Sequence, residues 1–239
     1  MLEIKNQADK AILYLSGTIV DDEEGGWLST FREGDTTGYE FPAKFKEQLN
    51  LIEDDKEIEV HINSYGGSVF AGVAMSNYIA KHSGRTISIC DCVAASIATQ
   101  IFFSCDICKM PSNAYIMIHR PTVELNGNAE DFRKAADTLD IIQRGLETTY
   151  QKKAKDGITA EKITDLICAE SWLTGQEASA YFNVEILEPV KILNCAGSLE
   201  KLKSLKYKNI PKEIQFDSGG EMEDEIQDIE RTRQKITIA

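Results

Sequence analysis

The feature of this sequence that most constrains its fold is a short strand pattern that runs into two glycines and then into a helix. Residues 58–62 alternate isoleucine and valine with polar residues, which is the period of a half-buried strand. Residues 63–67, Asn-Ser-Tyr-Gly-Gly, break the strand with turn-forming residue types. Residues 68–81 then return to helical spacing, so this stretch predicts a strand, a glycine turn and a helix in succession.

The same order of elements recurs along the chain. A β-rich run at 86–93 precedes a helical pattern at 94–104, and 115–118 is a further apolar strand. A long amphipathic helix is predicted over 128–156, with Gly157 where a C-terminal cap belongs. Strands that alternate with helices indicate an α/β domain with a parallel or mixed sheet. The other predicted elements are a strand at 11–20 with a bend at Gly17, helices at 42–52, at 160–169 and after the capping-box pattern at 174–177, and a strand at 184–187.

Two segments lack a clear pattern of this kind. Residues 21–40 are acidic, contain glycines and are weakly periodic, which predicts a loop or a variable insertion. After about Cys195 the composition shifts, with five lysines between 201 and 212 and mostly acidic residues over 221–230. We therefore predict one domain at 1–195 and a charged C-terminal tail at 196–239 that is partly disordered or becomes helical only with a partner.

Charge and hydropathy exclude several classes of partner. The chain has 239 residues, with 26 basic and 39 acidic ones and a net charge of −13. This balance argues against nucleic acid and against anionic membrane surfaces, which both bind basic proteins. No apolar run reaches the 18 or so residues of a membrane-spanning helix, and the charged N-terminus does not resemble a signal peptide. We therefore expect a cytoplasmic protein.

The six cysteines admit a zinc site or a set of free thiols. Cys90 and Cys92 form a C-x-C pair and Cys105 and Cys108 a C-x-x-C pair, which together could supply four thiolates to zinc. The first pair lies within a predicted core strand, however, and the second pair flanks another strand, where residues three apart point to opposite faces. Buried free thiols are the better interpretation, and without a secretion signal we expect reduced cysteines.

Three short segments carry residues that could do chemistry. His119 ends an apolar strand, where a side chain can face a cleft, although a hydrogen-bonded structural histidine fits equally well. Ser96 lies between a strand and a helix, near unpaired N–H groups of a helix N-terminus, where a simple helix cap is the alternative. Gly66 and Gly67 could expose backbone N–H groups to an oxyanion or a phosphate, or could only form a turn. His61 and His82 are expected to be a surface and a structural residue, respectively.

Taken together, these segments resemble the proteolytic subunit of the Clp serine protease family. The resemblance rests on Ile-Asn-Ser-Tyr-Gly-Gly-Ser-Val at 62–69, Val-Ala-Ala-Ser-Ile-Ala at 93–98 and Met-Ile-His-Arg-Pro at 117–121. It extends to Glu-Ser-Trp-Leu-Thr at 170–174 and covers roughly residues 12–187. The phrase Ala-Glu-Ser-Trp-Leu-Thr at 169–174 is most similar to the bacteriophage head-maturation (prohead) protease branch. The implied fold is the α/β Clp protease and crotonase-like fold, with repeated β-β-α units and a long projecting helix.

The resemblance implies a catalytic role for each matching position. Ser96 would be the nucleophile and His119 the general base, while Glu170 would hold His119 in the correct tautomer. The backbone N–H groups of Gly67 and Ile97 would form the oxyanion hole. No metal or cofactor is implied.

Two positions depart from the family pattern. Tyr65 stands where the family commonly has proline, which loosens the turn but leaves both glycines in place. Glu170 stands where the family usually has aspartate, so Asp165 is the fallback acid, and an exposed structural carboxylate is the alternative for Glu170. Glutamate serves in other triads, and we therefore retain Glu170.

The implied function is a serine endopeptidase that acts on protein or peptide substrates and assembles into a homo-oligomeric ring. The long helix matches in position the element that the family uses to join two rings. It is also consistent with an ordinary surface helix that packs on its own sheet through a buried stripe of Phe132, Leu139, Ile142 and Leu146. We expect the protein to process phage capsid or scaffold precursors in a bacterial cell. The alternatives are a housekeeping subunit that works with an ATPase unfoldase, a catalytically silent assembly protein, and an acyl-CoA enzyme of the crotonase fold.

Overall fold

The computed structural model describes residues 5–6, 10–189 and 207–211. The chain divides into two compact units, Met1–Ala196 and Gly197–Ala239. The secondary structure described below belongs to the first unit. The predicted disorder or partner-dependent folding of the tail falls almost entirely outside the described residues, and the predicted domain boundary stays a prediction.

The chain alternates short strands with helices, as the sequence pattern predicts. The strands are β1 (Lys5–Asn6), β2 (Lys10–Ile19), β3 (Tyr39–Glu40), β4 (Glu57–Gly67), β5 (Thr86–Ala95), β6 (Ile107–Pro111), β7 (Tyr115–Ile118), β8 (Ser171–Thr174) and β9 (Glu185–Leu187). The helices are α1 (Asp22–Phe31), α2 (Pro42–Leu49), α3 (Val69–Ala80), α4 (Ala98–Phe102), α5 (Ala129–Lys153), α6 (Ala160–Cys168) and α7 (Gly175–Tyr181).

The described strands form one mixed sheet whose central part is parallel. Its main path runs β1-β2-β4-β5-β6-β9, and every neighbouring pair from β2 onward is parallel. The first half of β5 pairs with β6, whereas its last residues pair in parallel with β7. β7 in turn pairs antiparallel with β8. Helices join the parallel strands, since such a connection must return to the starting edge of the sheet. The predicted α/β architecture with a parallel or mixed sheet is thereby confirmed.

The core is built from the apolar residues of the strands and from aromatic side chains beneath them. Ile58, Val60 and Ile62 of β4 are fully buried, as their alternation predicts. Phe102, Phe103 and Phe182 pack together. The ring centroid of Phe103 lies 5.0 Å from that of Phe102 and 4.9 Å from that of Phe182. This continuous core anchors the strands whose ends carry the candidate site.

The prediction of a loop over residues 21–40 is wrong, because this stretch contains α1 and β3. The side chain of Asp21 accepts a hydrogen bond from the Glu24 N–H and caps the helix. Acidic residues at 22–24 fill the first turn, where the helix dipole favours negative charge. Gly25 lies against the Phe41 ring, so close that a side chain there would clash. The two glycines mask the helical period, whereas the cap and this contact stabilise the helix.

The long helix α5 exists, but the predicted buried stripe along it is only partly present. Its capping box at Asn128 and Asp131 fixes the first turn. Phe132 is 53% exposed and Ile141 is 62% exposed, whereas Tyr150 near the C-terminal end is buried. The helix ends at Lys153, before Gly157, where Ala154 adopts an extended backbone conformation. The placement of Phe132 in the buried stripe is therefore wrong.

The cysteine prediction is confirmed at three positions and wrong at one. Cys90, Cys105 and Cys108 are buried free thiols, and burial raises the pKa of each. Cys92 is disulfide-bonded, which contradicts the expectation of a free thiol. A disulfide joins residues that the fold brings together, so local spacing within a strand does not predict it. Cys195 lies outside the described residues.

Two further predictions concern membrane-spanning helices and the histidines outside the candidate site. Among the described residues, no helix is long and apolar enough to cross a membrane. His82 holds the end of α3 by a 2.6 Å hydrogen bond from its Nε2 to the Lys56 carbonyl, which is a structural role. His61 lies on the polar face of β4 between Asp91 and Glu59, at 2.7 and 3.0 Å.

Candidate active site

Ser96 occupies a sharp turn between β5 and α4. Its φ of +55° lies in the left-handed region, which residues other than glycine rarely adopt. The Ser96 N–H donates to the Met117 carbonyl of β7 at 2.8 Å, which holds the turn against the neighbouring strand. Such a strained strand-to-helix turn presents a side-chain oxygen away from the sheet, as at a nucleophile elbow.

His119 lies within hydrogen-bond distance of Ser96. It follows β7 directly, and β7 pairs with the end of β5 through Ala95 and Met117. The His119 Nε2 and the Ser96 Oγ are 2.6 Å apart. When the imidazole is neutral and carries its proton on Nδ1, the Ser96 hydroxyl donates to Nε2. This is the arrangement in which a histidine can remove the hydroxyl proton.

The backbone of Glu170 lies beside that of His119. It forms the connection between α6 and β8 with a φ of +50°, and the next residue, Ser171, pairs with Ile118. Since Ile118 directly precedes His119, this pairing brings the Glu170 backbone beside the histidine. Ser171 is tied back to the Leu166 carbonyl at 2.8 Å, which fixes the start of β8.

Burial and the Glu170 charge act on His119 in opposite directions. Burial lowers the pKa of His119, because a charged imidazolium loses its water, and the negative charge of Glu170 partly offsets this shift. Asp165, the fallback acid, does not contribute to this shift. Electrostatics therefore favours Glu170 as the acid of the site. A lowered pKa keeps His119 neutral, and able to accept a proton, at neutral pH.

The two glycines at the end of β4 lie against the Ser96 turn. Gly66 has a φ of +92°, and a side chain there would meet the Ala95 carbonyl oxygen at 2.7 Å and the Ser96 Cβ at 2.8 Å. Gly67 has a φ of +148°, and a side chain there would clash with the Ile19 carbonyl of β2. Glycine is required at both positions, because the backbone itself packs on the site.

The backbone N–H groups proposed for the oxyanion hole belong to elements that meet at this point. Ser68, one residue beyond Gly67, donates its N–H to the Ile19 carbonyl at 2.8 Å, and β4 is anchored to β2 there. A Cβ atom on Gly66 would lie only 3.1 Å from the Ile97 nitrogen. The end of β4 thus packs closely on the turn between β5 and α4. The assignment of Gly67 and Ile97 as oxyanion donors stays a prediction.

Several residues that support the site were missed by the sequence analysis. The Thr99 hydroxyl lies 2.7 Å from the Tyr150 hydroxyl and also donates to the Ser96 carbonyl, so α5 supports the turn from within the core. Arg120 donates two hydrogen bonds to the Cys168 sulfur, at 2.9 and 3.2 Å, and thereby links the residues next to His119 and Glu170. Only the fold brings these pairs together, and the local sequence carries no signal for them.

Within residues 10–189 and 207–211 no group of three or more histidine, cysteine or acidic side chains is arranged to hold a metal ion. The groups that the site brings together are the hydroxyl of Ser96, the imidazole of His119 and nearby backbone N–H groups.

The pKa values of His119 and His61 provide a direct test of this electrostatic arrangement. The imidazole of His119 is expected to titrate below about 6.5. Burial also acts on His61, but hydrogen bonds and charges from Asp91 and Glu59 outweigh it and raise the pKa of His61. Glu170→Gln is expected to lower the pKa of His119 further and to leave His61 unchanged. NMR titration of the imidazole protons measures both, and a His119 that titrates above His61 would contradict the arrangement.

Comparison with known proteins agrees with this geometry. The sequence model of the Clp protease family matches residues 40–185, which is more than half of the chain. The ATP-dependent Clp protease proteolytic subunit of Bacteroides fragilis is 28% identical over 135 residues, which cover 56% of this chain and 64% of that protein. Proteolytic subunit 3 of Rhodococcus jostii is 30% identical over 135 residues, covering 56% of this chain and 66% of that protein.

A relative from Prochlorococcus marinus, proteolytic subunit 1, is 28% identical over 150 residues, which cover 60% of this chain and 75% of that protein. The match thus spans a little less than two thirds of the Bacteroides and Rhodococcus relatives and three quarters of this one. The matched region includes Ser64, both glycines, Ser96, His119 and Glu170. On the fold and this match, the chain belongs to the Clp protease family.

Proposed function

We propose that this protein is a serine endopeptidase in which Ser96, His119 and Glu170 form the catalytic triad. The observation that carries the proposal is the 2.6 Å separation of the Ser96 Oγ and the His119 Nε2. A hydroxyl that donates to a neutral imidazole is activated as a nucleophile, because the base can take its proton during attack. Membership of the Clp protease family and relatives named as proteolytic subunits support a peptidase.

The proposed reaction has two steps of acyl transfer. His119 takes the Ser96 proton while the Oγ attacks the carbonyl carbon of the scissile peptide bond. The negative charge that develops on the carbonyl oxygen is stabilised by the N–H groups of Gly67 and Ile97. His119 then gives its proton to the leaving amine as the C–N bond breaks. A water molecule, deprotonated by His119, hydrolyses the acyl-enzyme and restores the serine.

Glu170 is proposed to orient His119 and to stabilise the imidazolium. Its negative charge acts on the His119 ring and raises the pKa that burial lowers. This charge favours the imidazolium during attack without keeping His119 protonated in the resting enzyme. Glutamate has one methylene more than aspartate, and the φ of +50° at Glu170 gives its side chain a different starting direction from that of an extended residue.

We propose phage capsid or scaffold precursors as the substrates, with processing during head assembly in a bacterial cell. The support is the similarity of residues 169–174 to the prohead protease branch. A housekeeping subunit that cooperates with an ATPase unfoldase is the second candidate, because the relatives are named as ATP-dependent proteolytic subunits. Digestion of a folded and an unfolded protein with and without a Clp-type unfoldase and ATP separates the two. Cleavage of a scaffold precursor without ATP supports the first.

A homo-oligomeric ring is the proposed assembly, with α5 as a contact between copies. The support is the set of apolar side chains that α5 and the segment before it leave exposed, which are Val123, Leu125, Phe132 and Ile141. Burial of these side chains against another copy would remove apolar surface from water. If α5 joins two rings across a two-fold axis, it contacts the same surface of the other copy, whereas neighbours within one ring are joined through two different surfaces.

The triad assignment predicts the kinetic effect of single substitutions. Ser96→Ala and His119→Ala are each expected to lower kcat for a peptide substrate by up to about a millionfold, because the two residues act as one unit. Glu170→Gln is expected to lower kcat by about 10⁴-fold, since the tautomer of His119 is no longer fixed. The matched control is Asp165→Asn, which removes the exposed fallback acid and should retain activity. Activity that survives Ser96→Ala would place the nucleophile at a different residue, whereas absence of hydrolysis by the wild-type protein would support a catalytically silent assembly protein.

The assembly proposal predicts that a charge on α5 dissociates the oligomer. Ile141→Asp places a carboxylate in the proposed contact and is expected to shift the mass measured by light scattering toward smaller species. The matched control is Leu51→Asp, which alters a residue that is 70% exposed outside α5 and should leave the mass unchanged. An unchanged mass for Ile141→Asp would exclude this part of α5 from the contact.

A further inference from the structure

We propose that Ser64 is a positioning residue for the oxyanion hole. Its role is to hold the turn that aims the Gly67 N–H, without touching the substrate. This inference rests on the proposed peptidase function. Ser64 is fully buried at the end of β4, three residues before Gly67.

The Ser64 hydroxyl joins two backbone groups on different strands. Its Oγ donates to the Gly17 carbonyl of β2 at 2.6 Å. The same oxygen accepts the N–H of Gly66 at 3.1 Å. One hydroxyl thus connects β2 to the peptide group between Tyr65 and Gly66.

The regular strand pairing is interrupted on both sides of Ser64. Between β2 and β4 the pairing passes from Ser16–Asn63 to Thr18–Gly66, so β4 has one residue more than β2. Between β4 and β5 it passes from Ile62–Cys90 to Ser64–Ala94, so β5 has two residues more than β4. Backbone hydrogen bonds alone do not hold β4 in register here, and the Ser64 side chain supplies a link across the irregularity.

The direction of the Gly67 N–H depends on this link. Gly66 adopts a φ of +92° and Gly67 a φ of +148°, and neither is a default strand conformation. Fixing the Gly66 N–H sets the peptide plane before Gly66, and the rotation about Gly66 then sets the plane that carries the Gly67 N–H. Gly66 is also pressed against Ala95 and Ser96, so a displacement of this turn would reach the nucleophile.

A hydroxyl fits this position better than other groups of similar size. It donates and accepts at once, as the Gly17 carbonyl and the Gly66 N–H require. Alanine would leave both of these buried backbone groups without the partner shown here. Preorganised donors accelerate a reaction because they need no reorientation when charge develops. Loss of Ser64 should therefore slow the chemical step more than it weakens substrate binding.

The test compares Ser64→Ala with Ser88→Ala in the full-length protein. Ser88 is also fully buried in a strand of the sheet, and its hydroxyl donates to the Phe102 carbonyl at 2.7 Å, so the control loses a comparable hydrogen bond. Ser64→Ala is expected to lower kcat for a peptide by about 10- to 100-fold with KM within about twofold, which is below the loss of a whole oxyanion donor. The affinity for a peptide aldehyde, whose adduct carries the oxyanion, should fall by the same factor. Ser88→Ala should keep kcat and this affinity.

Each outcome of this test decides one question. Wild-type kcat in Ser64→Ala would overturn the inference and leave the proposed function intact. Equal losses of kcat per folded molecule in both variants, with folded fraction measured by circular dichroism, would assign Ser64 a general structural role and also overturn it. Absence of hydrolysis by the wild-type protein would overturn the proposed function itself. If Ser64→Ala does not fold, Ser64→Cys replaces it, because a weakly donating thiol should give an intermediate kcat.

Discussion

The left-handed turn at Ser96 is the constraint on which the rest of the site depends. A φ of +55° at a serine is costly by about 1–3 kcal/mol and persists only where the surroundings impose it. Here the Met117 carbonyl accepts the Ser96 N–H, Thr99 holds the Ser96 carbonyl, and Gly66 packs against the Ser96 Cβ. Because three different elements meet on this one residue, the ends of β4, β5 and β7 must lie together. The hydroxyl is then presented to His119 at hydrogen-bond distance.

The electrostatics of the site follows from the same packing. Partial burial of His119 at the end of β7 lowers its pKa, and the carboxylate of Glu170 partly offsets the shift. In the proposed mechanism, His119 is therefore neutral when the reaction begins and is stabilised by Glu170 once it takes a proton. His61 shows the opposite balance on the polar face of β4, where two carboxylates outweigh its partial burial. The difference between the two histidines comes from their surroundings and not from their place in a strand.

Much of this arrangement was predictable from the sequence, because short-range patterns determine it. The alternation in 58–62, the apolar run at 115–118 and the capping box at Thr174 correspond to β4, β7 and α7. The resemblance of four ordered motifs to one family also pointed to Ser96, His119 and Glu170 as candidate site residues. The fold brings them near one another, and their catalytic roles belong to the proposed function. The sequence did not predict α1, whose glycines hide its period, or the exposure of Phe132. The link through Ser64 depends on strands that the fold brings together. Neither this link nor the disulfide at Cys92 is encoded in local spacing.

The most direct test of the account is to locate the residue that an active-site phosphonate modifies. Wild-type protein is incubated with a fluorophosphonate, digested and mapped by mass spectrometry. We expect one adduct, on Ser96, whose rate of formation falls by orders of magnitude in His119→Ala because the hydroxyl loses its base. An adduct on another residue, or an unchanged labelling rate in His119→Ala, would contradict the central claim that Ser96 and His119 act together as nucleophile and base.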